Sequence, residues 1–132
     1  MCLLDTKRIR FTIFPKKVYK IVYVEDGCYY SPYRCIDVKL MQVQYPYFKN
    51  VEPSVLHGET ELYEFGDGFV FGYTDLIEAI YAKHNLERQH PRFEYVIIKG
   101  IIPPFTRYAR EDRYPLSEVC ARKMFWYKVL GR

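Results

Sequence analysis

Val18-Tyr-Lys-Ile-Val-Tyr-Val24, closed by Glu25-Asp26-Gly27 and followed by Cys28-Tyr-Tyr30, is the stretch on which the fold turns. β-Branched and aromatic residues fill it, and these suit a pleated, half-buried surface. Asp-Gly between two such runs is a strong tight-turn signal, because short hairpin loops need positive φ where Asp and Gly tolerate it. The segment reads as a hairpin whose return arm ends at Ser31-Pro32-Tyr33.

Outward from it, Arg8-Ile-Arg-Phe-Thr-Ile13 alternates at the strand period until Phe14-Pro15 breaks the pattern. Val38 to Val43 reads as a further strand and Tyr45 to Ser54 as an irregular loop. Glu61-Leu-Tyr-Glu-Phe65, Gly66-Asp-Gly68 and Phe69-Val-Phe71 compose a second hairpin. One helix is indicated, capped by Thr74 or Asp75 and favoured by Glu78 in its first turn. Leu76, Ile77, Ile80, Tyr81 and His84 recur at spacings of three and four, an apolar face expected to dock on a sheet. The pattern fades from Asn85 to His90 and stops before Pro91.

Phe93-Glu-Tyr-Val-Ile-Ile98 is a strand expected to end near Gly100, and Pro103-Pro104 holds the chain extended. Thr106 to Tyr114 reads as a loop or short ribbon, Ser117 as the cap of a helical turn through Cys120, and Lys123 to Leu130 as a last strand. Strands in both halves around a single helix predict an α+β fold class. The expectation is one domain over residues 1–132, an antiparallel or mixed twisted sheet with one main helix packed on one face.

Composition narrows the function classes. The chain has 132 residues, about the modal size of one domain, and needs neither metal nor disulfide to fold. The cysteines Cys2, Cys28, Cys35 and Cys120 contain no C-x-x-C pair and are expected as free thiols. No apolar run is long enough to span a bilayer and no signal-peptide pattern follows Met1, so a cytoplasmic protein without a membrane partner is expected. Fourteen Tyr, nine Phe and one Trp make 18 % of the chain aromatic, more than one modest core hides, which places some rings at a surface or cleft.

Charge divides along the chain. Lys7, Arg8, Arg10, Lys16, Lys17 and Lys20 cluster early, whereas Glu52 to Glu78 holds seven acids and no Lys or Arg. The early bases, with Arg107, Arg110, Arg113, Arg122 and Lys123, form either a patch for a polyanion such as nucleic acid or solvated positions that pair with the acidic middle.

Several chemistries are open to these residues. Cys2 would be an N-terminal nucleophile after removal of Met1, but Leu3 and Leu4 look like core anchors and the chain is short for such enzymes. A thiol hydrolase would need a cysteine beside His57, His84 or His90; His84 lies on the helix stripe and reads as a core or edge residue. Scattered cysteines and histidines give no metal-ligand spacing. Tyr29-Tyr30-Ser31-Pro32-Tyr33-Arg34 is the densest polar-aromatic cluster: Tyr29, Tyr30, Tyr33 and Arg34 either grip an anion while rings stack on a ligand or serve as core and surface residues. Phe105, Arg107 and Tyr108 repeat this chemistry, and the two clusters would together frame one cleft.

Met1-Cys2-Leu3, Val18-Tyr19-Lys20-Ile21, Ser31-Pro32-Tyr33, Gly68-Phe69 before the helix and Ile97-Ile98-Lys99-Gly100 resemble a loose family of small uncharacterised bacterial and bacteriophage proteins. The resemblance implies no activity, and where such relatives carry histidine after the glycine-aromatic pair this chain has Val70. The late Ile-Ile-Lys-Gly-Ile-Ile-Pro-Pro segment is also similar to the closing strands of small ADP-ribosyltransferase-like domains. That likeness implies NAD held by an early Arg or His, a mid-chain Tyr or Ser and a late Glu, for which Arg10, Tyr73 and Glu118 stand available. The reading that emerges is a bacterial or phage binding protein, without cofactor or metal, that offers its Tyr/Arg surface to a protein or an anionic ligand. The alternatives are a small nucleotide-dependent transferase and a nucleic-acid-binding protein.

Overall fold

The computed structural model describes residues 10–32, 37–46, 70–110 and 118–131. The decisive stretch forms β2 (Lys16–Glu25), and Asp26 and Gly27 turn it at φ 52° and 77° into β3 (Cys28–Tyr30), as the Asp-Gly pair predicts. Along its other edge β2 pairs with β7 (Glu94–Ile102) through nine successive residues, from Lys16 opposite Ile102 to Val24 opposite Glu94. These two strands are the axis of the molecule.

Around them lie β1 (Arg10–Phe11), β4 (Asp37–Val38), β5 (Gln42–Gln44), β6 (Val70–Tyr73), β8 (Arg107–Arg110), β9 (Glu118–Ala121) and β10 (Met124–Val129). The strand order is β1-β8-β9-β6-β2-β7-β10-β5, with β3 on β2 and β4 on β3. Every described pairing is antiparallel. With the single described helix, α1 (Leu76–Gln89), this is an α+β architecture.

Alternation along β2 separates two cores. Val18 and Val22 join Val96, Ile98, Ile102, Val119, Met124 and Trp126 on one face. Ile21 and Tyr23 cluster separately with Tyr73, Ala79, Tyr95 and Ile97, and Leu76, Ala82 and Leu86 adjoin that cluster. Trp126 is fully buried, and its indole N–H donates to Gln44 Oε1 at 2.8 Å. The sheet makes room for it at Gly100, where a Cβ would lie 2.5 Å from Trp126 Cε3 and 2.2 Å from the Phe125 carbonyl oxygen.

Several expectations change. The strand expected from Val38 to Val43 is two strands, broken at Met41, whose φ is 61° and whose N–H donates to the Trp126 carbonyl at 2.7 Å. The turn expected to be helical up to Cys120 is strand β9, because Val119 and Cys120 are buried in the sheet opposite Gly72 and Phe71. β7 runs through Gly100 to Ile102, whereas α1 ends at Gln89, before Pro91 as expected. The cap is Asp75, which accepts the Ile77 N–H at 2.9 Å. The helix face differs most: Ile77, Ile80 and Tyr81 point to solvent, as does His84. Tyr23, Tyr73 and Tyr95 already fill the space above the strands, so the small side chains of Ala79 and Ala82 dock there instead. Of the hairpin expected from Glu61 to Phe71 only Val70 and Phe71 are described, in β6; residues 61–69, the Ser117 cap, Cys2, Cys35, His57 and Arg113 lie outside the described residues.

Candidate aromatic and basic groove

The site is built from two connections that meet at one end of β2. Thr12, buried just after β1, is their hub. Its N–H donates to the Thr106 carbonyl at 3.0 Å, and its carbonyl accepts the Phe105 N–H at 2.7 Å. Its hydroxyl donates to the Pro103 carbonyl at 2.7 Å and accepts the Thr106 N–H at 2.9 Å. These bonds fix the turn that follows Pro103-Pro104, and within it Phe105 adopts φ 58°. A bulky residue in the left-handed region is strained, and such strain clusters where function needs it.

Phe105 is 70 % exposed and Phe11 54 % exposed, with ring centroids 6.5 Å apart. Register then supplies charge. Phe11 lies opposite Arg107 in the β1–β8 pairing, and the Arg107 carbonyl accepts the Arg122 N–H at 3.0 Å from the next strand's end. Phe11, Phe105, Arg107, Arg122, Lys123 and Tyr45 thus border a groove of about 470 Å³, with Pro46 and Thr106 completing its wall. A second hollow of about 290 Å³ shares Phe11 and continues past Phe14 to Lys16 and Tyr108, where the Lys16 ammonium stands 5.5 Å from the Tyr108 ring centroid. Among the described residues, no Asp or Glu lines either hollow. An apolar floor with a cationic rim suits a ligand that joins flat apolar groups to negative charge.

Of the expected site residues, Phe105, Arg107 and Tyr108 meet at these two hollows. Tyr29 packs against the core of Val18 and Trp126, and Tyr30 stacks on Tyr23 at 5.4 Å on the opposite face. Tyr33 and Arg34 lie outside the described residues. Tyr29 and Tyr30 do not share a cleft with Phe105: Tyr30 pairs with Tyr23 near one end of β2, whereas Phe105 follows Ile102, the partner of Lys16 at the other. Seven residues of strand separate them, about 23 Å at about 3.3 Å each. Tyr23 and Pro32 instead border a separate hollow of about 270 Å³ with Leu86, Phe93, Tyr95 and Arg92. Burial raises the Tyr95 phenol above its ordinary pKa there.

Lys20 leaves the expected basic patch altogether. It is only 4 % exposed, its ammonium donates to the Phe71 carbonyl at 2.9 Å, and burial lowers its pKa from 10.5 to about 8. Arg10, Tyr73 and Glu118 do not converge either. Tyr73 and Glu118 are cross-strand partners, but Arg10 pairs with Tyr108 on the opposite face of the sheet. Cys28 and Cys120 are free thiols, and burial raises Cys120 well above the ordinary thiol range. No group of three or more His, Cys, Asp or Glu among the described residues is placed to hold a metal ion, and no described helix is long and apolar enough to cross a membrane.

Sequence reasoning named Arg122 and Lys123 only as part of a diffuse patch and passed over Phe11, Thr12 and Tyr45. Phe14-Pro15 beside Pro103-Pro104-Phe105 was the available signal: two stiff turns carrying aromatics at strand ends. Which turns meet is decided by the β2–β7 register, which no local pattern contains. No protein-family model matches the chain, and neither a curated protein nor a solved structure matches it.

Proposed function

We propose that this chain is a binding protein whose groove between Phe11 and Phe105 takes an anionic ligand. Phe105 carries the reading. Its backbone conformation costs of the order of 1–3 kcal/mol, and its ring stands in water beside Arg107, whereas a glycine at this turn would incur neither cost. The rim of Arg107 and Lys123, with no Asp or Glu among the described residues that line the groove, supports an anion as the partner. The same reading has α1 covering one face of the sheet, so that binding falls to the end of the sheet away from the β2–β3 turn; the contacts of Ala79 and Leu86 with the strand rings support it. A bacterial or phage cytoplasm is the proposed setting, which the free thiols of Cys28 and Cys120 suit.

Thermal unfolding at low ionic strength with heparin as a generic polyanion tests this. A ligand at about a hundred times its dissociation constant adds about 2.7 kcal/mol, so the melting temperature is expected to rise by several degrees. The double variant Arg107→Glu/Lys123→Glu is expected to abolish the rise. Absence of any shift in the unmutated protein overturns the reading.

A further inference from the structure

Resting on the anionic-ligand reading, we infer that the ligand is single-stranded nucleic acid, its bases stacked on Phe11 and Phe105 and its phosphates drawn by Lys16, Arg107 and Lys123. Charge alone does not explain the groove, since exposed rings offer a simple polyanion far less than they offer a base. Phe11, Phe14 and Phe105 are 54 %, 79 % and 70 % exposed, and each offers a flat face of the kind on which bases stack. The spacing of the central pair is informative. Their centroids are 6.5 Å apart with a 48° tilt, near the outer limit of direct ring contact. One base inserted between two parallel rings needs about 6.8 Å, twice the roughly 3.4 Å spacing of stacked bases. A ring rotation that exposed side chains make readily brings the pair to that geometry.

The extent of the surface selects a strand over a lone nucleotide. Two hollows of about 470 and 290 Å³ join at Phe11, so a chain stacked there meets a second aromatic station at Phe14 and Tyr108. Cations alternate with the rings: Lys16 beside Tyr108, Arg107 opposite Phe11 and Lys123 at the far border. That alternation matches a backbone bearing one charge per base. A duplex hides its base faces and would leave the rings unused.

Fluorescence anisotropy of a labelled oligothymidylate of about ten nucleotides, with unlabelled heparin, a duplex of equal length and polyglutamate as competitors, tests the inference. The oligonucleotide is expected to bind at low salt, more tightly than the duplex. Phe11→Ala/Phe105→Gly is expected to weaken it about tenfold or more and to weaken heparin much less, and equal weakening of the two overturns the inference. Arg107→Gln is expected to weaken both ligands and to reduce the salt slope for the oligonucleotide by about 0.7. Phe105→Gly alone keeps the test sound if the double variant unfolds, because glycine suits that φ. If heparin binds and the phenylalanine variants affect neither ligand, the nucleic-acid inference falls and the anion reading stands; if nothing anionic binds, both fall. Duplex or polyglutamate binding as tightly as the single strand also overturns the inference.

Discussion

Lys20 occupies a position that the β2 alternation assigns to the inside. Its neighbours on that face, Val18 and Val22, are fully buried, and its long stem crosses the same layer to bring the ammonium to the Phe71 carbonyl. One hydrogen bond to a neutral oxygen replaces little of the hydration the charge has lost, and so its pKa falls to about 8. The consequence for stability has a definite sign. Between about pH 8 and the ordinary lysine value of 10.5 the unfolded chain binds the proton more tightly than the folded one, so stability rises with pH across that window. Below it the penalty is constant, of the order of 3 kcal/mol. Lys20→Met keeps the stem and removes the charge. The variant is expected to melt higher than the parent at pH 7, and its stability is expected not to rise between pH 8 and 10; a lower melting temperature at pH 7, or an unchanged pH profile in thermal unfolding, would refute the account.

At the scale of elements, α1 shows what periodicity settles and what it leaves open. The capping residue and the acid in the first turn mark the start, and Asp75 does accept the Ile77 N–H. The docking face differs in part: Leu76 is where it is expected, but Ala79, Ala82 and Leu86 obey the same spacing as Ile77, Ile80, Tyr81 and His84 and take the place of these four. Size misleads here: the sheet supplies the bulk, through Tyr23, Tyr73 and Tyr95, and the helix must supply the space. The β2–β3 hairpin was legible because its information is local, in Asp26-Gly27 and the runs beside it. The break at Met41 was not, since it depends on the Trp126 carbonyl far along the chain. Two substitutions separate the helix faces. Ala79→Leu overfills a site with no exposed surface and is expected to cost about 1–3 kcal/mol, whereas Tyr81→Lys, at a position 66 % exposed, is expected to stay within about 0.5 kcal/mol. Urea unfolding that ranks the two in the reverse order would restore the larger side chains to the docking face.

Across the whole molecule, the sheet is held curved by one residue and two gaps. Trp126 lies on β10, yet a Cβ on Gly72 of β6 would be 3.6 Å from its Cη2, although β2 and β7 stand between those strands in the sheet. Strands are about 4.8 Å apart, so a flat sheet would set β6 and β10 about 14 Å from each other, beyond the reach of one indole lying over Gly100. The sheet therefore bends around the ring, and β10 carries a register shift between Trp126 and Lys128, an irregularity of the kind that accentuates local twist. Candidate glycines and the tryptophan were visible in the sequence, but their meeting was not, because it depends on the order of four strands. The groove inherits the same geometry, since β8 and β9 reach Phe11 only by continuing from β6. Gly100→Ala tests this arrangement directly. Its Cβ would stand 2.2 Å from the Phe125 carbonyl oxygen, a backbone atom that cannot rotate away, so β7 and β10 must part. The expected cost is about 1–3 kcal/mol or more in urea unfolding, with the emission of the single tryptophan moving to longer wavelength as water reaches it. Unchanged stability together with unchanged emission would mean that the two strands do not meet at Gly100 as described.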